Sequence, residues 1–348
     1  MKLFKSLLVA PATLGLLAPL SATANEVTIN DFNAAEEIAV TNSRVDGLEA
    51  RLNNFEAGSF SETTSASFGS TFYVGAVENS ATGEATTFSY DFGMDLSTSF
   101  TGEDSLDIAV IGGNANVTAV DGFMGGDGTS DTLELDGVSY TFPLGGATVI
   151  VGDGVGVDDL NTGACAYSAF TDLLSDCGTS NVGGSADSAF AIAYDFDNGF
   201  TLAGGAGGGT GTDGFFTEQD ASTIGLEAAY TADTYGVSVA YTDDEATTYW
   251  SVQAMLAPEG YPSLSVGYET DDDDADAIFA GLTFAEVGPG SVSLGMASTD
   301  LSSDDYYQYE LAYSYPLNDG MTITPGIFIK ETSGDDETGV VVTTSFSF

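Results

Sequence analysis

The chain has no histidine and, among its 348 residues, only five lysines and arginines against 53 aspartates and glutamates, a formal net charge of −48. Without histidine neither a Ser-His-Asp arrangement nor a Cys-His pair can form, which removes the usual nucleophilic catalysts. No histidine and only two cysteines, Cys165 and Cys177, also argue against a zinc site. Nucleic acid and anionic membrane surfaces are both held by Lys and Arg, so such acidity excludes them as partners. Beyond the first two dozen residues no run of about 20 apolar residues occurs, so there are no helical membrane spans. The 44 glycines lack a three-residue period, which excludes collagen and points to crowded strands and tight turns. Gly204 to Gly209 falls at a hairpin end and is no phosphate loop. No carboxylate pair is marked out for glycoside hydrolysis. The sequence thus reads as a non-enzyme without a cofactor.

What is present is equally restrictive. Hydrophobic residues make up 43%, with 22 Phe and 16 Tyr, too much apolar side chain for a chain unable to bury a core. The start has the form of an export signal over 1–24: Lys2 and Lys5, an apolar segment over 7–20, then Ala22-Thr23-Ala24. Pro11 and Pro19 break that segment, which is too short for an anchor, and its removal takes the formal charge from −48 to −50 by loss of two lysines. A polar segment follows over 25–35. Over 36–57, Ile38, Val45 and Leu52 recur at heptad position a, with Thr41, Leu48 and Phe55 at d, which predicts a short coiled-coil helix. A lone amphipathic helix packed on the body is the alternative, because Gly47 weakens a helix by about 1 kcal/mol. Arg44 and Arg51 lie here, leaving Lys330 as the only base downstream.

From about residue 60 the period becomes two. Val340, Val342, Thr344, Phe346 and Phe348 share one face of a strand that ends on the chain terminus. An apolar edge of this kind would recruit other strands unless it pairs, and pairing with a first strand near Phe68 would close a barrel, the β-form that can sit in lipid. Sixteen alternating segments are expected: 64–77, 85–99, 104–111, 132–143, 146–152, 186–196, 199–207, 221–231, 234–242, 247–257, 261–270, 275–285, 290–298, 305–316, 320–331 and 339–348. Connections after even segments are short and turn-rich, such as Gly145-Gly146 and Asp197-Asn198-Gly199, while those after odd segments are longer and acidic. This parity belongs to a transmembrane barrel with short periplasmic turns and long external loops. The expected fold is all-β: a transmembrane antiparallel β-barrel of about 16 strands over 60–348, preceded by the coiled-coil helix, with outer-membrane lipid as its surroundings.

Several stretches carry a family resemblance: the start Met1-Lys2-Leu3-Phe4, the heptad segment from Arg44 through Arg51, and Leu133-Glu134-Leu135-Asp136 through Tyr140-Thr141-Phe142-Pro143-Leu144-Gly145. They resemble cyanobacterial outer-membrane porins, of the carbohydrate-porin-like type. The resemblance implies a homotrimer and passage of small hydrophilic solutes. Such proteins usually carry a surface-layer-homology domain before the coiled coil, and here only 25–35 occupies that place. It further implies that the longest connection, 152–185, folds into the lumen as a constriction; an ordinary external loop is the alternative. In an exported chain Cys165 and Cys177, with eleven residues between them, most simply form a disulfide, worth about 3 kcal/mol in the entropy model.

If the apolar sets face lipid, Asp91, Asp95, Asp107, Asp195, Glu227, Glu269 and Glu310 point inward, with Lys330 the only opposing base. A pore lined by unopposed carboxylates concentrates cations. The rival is a secreted acidic β-rich protein that binds calcium or a surface partner, for which the acidic run 271–274 offers hard oxygen ligands without a spaced loop motif.

Overall fold

The computed structural model describes residues 64–79, 84–114, 119–126, 128–179, 182, 188–208, 221–272, 275–298 and 306–348. The expected signal peptide, polar segment and coiled coil lie outside them. Sixteen strands run β1 (Thr64–Glu78), β2 (Thr87–Thr98), β3 (Ser105–Gly113), β4 (Glu134–Leu144), β5 (Ala147–Asp153), β6 (Ser188–Asp195), β7 (Phe200–Gly208) and β8 (Ser222–Ala232). The second half comprises β9 (Tyr235–Asp243), β10 (Thr248–Leu256), β11 (Ser263–Asp271), β12 (Asp276–Val287), β13 (Gly290–Ser298), β14 (Tyr307–Asn318), β15 (Met321–Lys330) and β16 (Glu337–Ser347). Every strand end lies within two residues of its expected position.

Each strand pairs antiparallel with its sequence neighbours, and β1 pairs with β16, so the sheet is a closed barrel. The seam runs from Gly69 opposite Ser347 to Glu78 opposite Thr338. Its last rung is made by the terminal residue: Phe348 N–H donates to Phe68 O at 3.0 Å, Phe68 N–H returns to Phe348 O at 2.9 Å, and the two rings stack 5.6 Å apart. The aromatic end that would be adhesive on an open sheet is thereby used up in closure. Tight turns finish the short-turn end: Gly145 and Gly146 have φ of +60° and +92°, conformations that glycine adopts without a Cβ penalty.

Period-two alternation sorts the side chains. Outside, Ile192, Leu226, Val239, Val252 and Ile327 are exposed as an apolar belt. Aromatic rings flank it, with Phe200, Tyr230 and Tyr235 at the short-turn end, at centroid spacings of 4.7 and 5.8 Å, and Tyr241 with Trp250 at the long-loop end, 4.7 Å apart. An apolar band between two girdles is the exterior of a barrel immersed in a bilayer. A secreted soluble protein would leave all of this surface in water, which counts against the rival reading.

Among the described residues two connections turn inward, and they occupy part of the lumen that a β-pattern cannot describe. The β5–β6 connection carries a 3-10 helix (Asp172–Gly178), and the β3–β4 connection carries a helix α1 (Ala119–Met124). Strand alternation gives no sign of either. Val120 and Phe123 of α1 are buried with Tyr73, Val77, Phe328 and Val341 of the inner wall, and Met124, Phe170 and Leu173 pack against the same cluster. The two inward connections therefore touch one another beside β15, β16 and β1.

Candidate functional site: the lumen and its inward loop

The long connection after β5 lies against the inner wall from β7 round to β15, and glycines make the room. An added Cβ at Gly205 would lie 2.3 Å from Val157 O, at Gly267 2.0 Å from Cys177 O, at Gly295 2.5 Å from the Tyr167 hydroxyl, and at Gly326 2.3 Å from the Phe170 ring. Gly225 and Gly281 meet Val157 and Tyr167 in the same way. The wall is hollowed along a belt, and the loop's side chains occupy the hollows. The 44 glycines thus do more than make turns and relieve crowded strands.

An irregular chain inside a barrel leaves backbone N–H groups without ladder partners, and these must be satisfied when buried. Wall side chains supply the acceptors. Glu227 accepts from Thr162 N–H at 2.6 Å and Gly163 N–H at 2.9 Å. Gln253 accepts from Ala164 N–H at 3.1 Å and donates through Nε2 to Thr179 Oγ1 at 2.7 Å. Ser265 Oγ accepts from Ala166 N–H at 2.8 Å, and Glu269 from Val182 N–H at 3.2 Å. Glu310 holds four donors: the Tyr167 hydroxyl at 2.7 Å, Phe170 N–H at 2.7 Å, Thr171 N–H at 2.9 Å and the Thr171 hydroxyl at 2.6 Å. Cys165 and Cys177 are joined by a disulfide with Cα atoms 6.2 Å apart, which closes the segment bearing Tyr167, Phe170 and Thr171 into a ring.

The carboxylates expected to line the pore fall in different settings. Glu227, Glu269 and Glu310 do point inward, yet they are 6%, 1% and 2% exposed, covered by the loop they hold. Parity gave their direction and could not show the cover. Asp91 also points inward and is engaged, accepting from Thr71 N–H at 3.0 Å and from the Tyr73 hydroxyl. Asp195 is exposed at the short-turn end, where it accepts Asp197 N–H at 2.8 Å. Asp107 is half-buried and accepts the Ser105 hydroxyl at 2.8 Å. Asp95 is exposed on β2, with Ser67 and Ala109 as its lateral neighbours. Lys330 faces inward from β15, and its ammonium lies 5.6 Å above the Phe123 ring, which ties α1 to the wall by a cation–π contact. In the acidic run, Asp271 and Asp272 accept backbone N–H groups of Ala275 and Thr248 at 2.9 and 3.2 Å, as turn-closing residues do.

Sequence reasoning passed over Gln253, Ser265 and Asp121, the last buried on α1 with the Ser89 hydroxyl bonded to it. A signal for the loop seat was nevertheless present. Gly225 and Gly267 each stand two residues before an inward glutamate, Glu227 and Glu269, so the hollow and the hook share one face of one strand. Outside the spanning strands, Asp104 in the β2–β3 turn accepts from the Tyr140 hydroxyl at 2.6 Å, Thr101 N–H at 2.7 Å and Phe100 N–H at 2.9 Å. The Tyr140 bond first, then those from Thr101 and Ser99, hold its carboxyl well below the usual carboxylate range against the opposing effect of burial.

A closed sixteen-strand antiparallel barrel, apolar outside and narrowed inside by inward connections, has the porin fold. Among solved structures, the chain is similar to Pseudomonas putida OprB (TM-score 0.62, 14% identity, 82% of this chain and 94% of that one). It is also similar to a loop-deletion mutant of OmpT, an outer membrane protein of Vibrio cholerae (TM-score 0.60, 13% identity, 82% and 100%). The anion-selective porin from Comamonas acidovorans gives a TM-score of 0.59 at 15% identity, again over 82% and 100%. In sequence, 159 residues are 32% identical to an uncharacterised protein of Nostoc sp., covering 41% of this chain and 27% of that protein, so the chain spans about a quarter of that relative's length. No family model matches.

Proposed function

We propose that the protein is an outer-membrane porin, a passive diffusion channel for small hydrophilic solutes and ions, with a preference for cations. One observation carries the reading: the barrel is closed, belted with apolar side chains outside, and crossed inside by a tethered loop, with Asp95 exposed and Asp107 half-buried on the inward wall and no arginine anywhere beyond residue 51. The one base of that region, Lys330, is engaged with Phe123. A passage whose carboxylates face a single inward ammonium, that of Lys330, accumulates cations and repels anions. The cyanobacterial, carbohydrate-porin-like resemblance belongs to this proposal, as does assembly into a homotrimer through the heptads of 36–57. Reversal potentials of the reconstituted protein in a KCl gradient test the selectivity. A potential close to that of an ideal cation channel is expected at low salt; a value near zero, or of the opposite sign, would sink it.

A further inference from the structure

The disulfide and Glu310 act on the same thirteen-residue ring, from Cys165 to Cys177, and they constrain it by unrelated means. The disulfide fixes the ring's shape, because it joins the two ends covalently. Glu310 is the main tether on its position, because all four of its donors, on Tyr167, Phe170 and Thr171, lie inside the ring, against the single bond from Ala166 N–H to Ser265 Oγ. Shape and position are further coupled through three side chains. Tyr167 lies over Gly281 and Gly295, Leu174 beside Gly295, and Phe170 over Gly326. A ring of fixed shape can seat these three together without its carboxylate. A ring pinned at Phe170 and Thr171 can keep them seated without its covalent closure.

We propose that Glu310 is a positioning residue and that it and the Cys165–Cys177 disulfide are redundant locks on the constriction: either alone keeps the ring seated, and only loss of both frees it. The proposal rests on the porin reading, since the ring is a constriction only if solutes pass. It extends to α1. Phe170 and Leu173 pack against the cluster holding Val120 and Phe123, and a Cβ at Gly125 would stand 3.1 Å from Asp172 Oδ1. A released ring withdraws part of the support of α1, so the two inward connections move as one partition.

The test compares four proteins in planar bilayers: wild type, C165S/C177S, E310Q and the triple variant, each first shown to be a folded barrel by its heat-modifiable migration. Glutamine keeps the side-chain volume but offers one acceptor oxygen where the carboxylate offers two. Each lock removed alone is expected to leave conductance and open-channel noise near wild type. The triple variant is expected to spend a larger fraction of time in a wide, noisy state, with non-additivity of about two-fold or more in that fraction. T171V/Y167F in the C165S/C177S background, which removes two donors from the loop side, should reproduce the triple variant. Additive effects, or a large effect of E310Q with the disulfide intact, overturn the redundancy. A folded wild-type barrel that does not conduct overturns the channel reading itself, and the proposal with it.

Discussion

At the scale of single residues, the acid content divides into two populations with different physics. Glu227, Glu269 and Glu310 are buried acceptors for a loop's backbone, so their chemistry is that of hydrogen-bond satisfaction and the loop separates them from the open lumen. In the proposed channel, Asp95 and Asp107 set the field in the lumen. Asn substitution at both is expected to move the reversal potential toward zero in a salt gradient, and Gln at Glu227 to move it little. Equal shifts from the two sets would show that the covered acids also face the pore. The wall glycines give a complementary expectation. Ala at Gly267 puts a Cβ against Cys177 O, so the loop must lift there, and conductance should change while the barrel still forms. Asp104 gives a pH dependence. Its folded pKa is depressed, so its contribution to the β2–β3 turn is fully present above the ordinary carboxylate value near 4 and is lost as pH falls through the lower folded value. Protection of the Phe100 and Thr101 amides, relative to their intrinsic exchange, should therefore begin to fall below about pH 4 in the wild type and be reduced already at neutral pH in D104N.

At the scale of elements, the strands and the inward connections obey different rules. Strand positions follow from alternation and turn residues, both local, and all sixteen were placed from sequence to within two residues. The inward fold of 152–185 was open in the residues and came only as an implication of family likeness. Helix α1 was not foreseen at all, since six residues in an acidic connection carry too short a period to read, and their apolar members gain meaning only against Tyr73, Phe328 and Val341. Undocking α1 is a direct check on its role. Phe123→Ala removes both the ring that packs on Phe328 at 4.6 Å and the platform beneath Lys330, and is expected to raise conductance noise without disturbing the barrel. Unchanged single-channel records in that variant would mean that α1 does not border the passage. For the heptads of 36–57, deletion is expected to lower the oligomeric state in detergent by analytical centrifugation.

At the scale of the whole molecule, the outside and the inside place separate demands on one sheet. Outside, every strand must offer lipid an apolar face, and an arginine at Val239, in the middle of that belt, is expected to cost about 2–4 kcal/mol, measured by reversible urea unfolding in the presence of lipid. Inside, wall charges act only within a Debye length, about 8 Å at 0.15 M salt and about 3 Å at 1 M, so the proposed cation preference should weaken as salt rises. Selectivity independent of salt would point to a steric filter instead. The sequence alone pointed to the closed, lipid-facing barrel, because period two, turn chemistry and an apolar terminal strand that needs a partner are all read from neighbouring residues. It likewise determined the shortage of bases. Which inward carboxylates are covered by the loop was decided only by tertiary structure. Alternation tells on which face a side chain emerges, whereas its exposure depends on a loop distant in sequence whose backbone N–H groups seek those same carboxylates once they are removed from water.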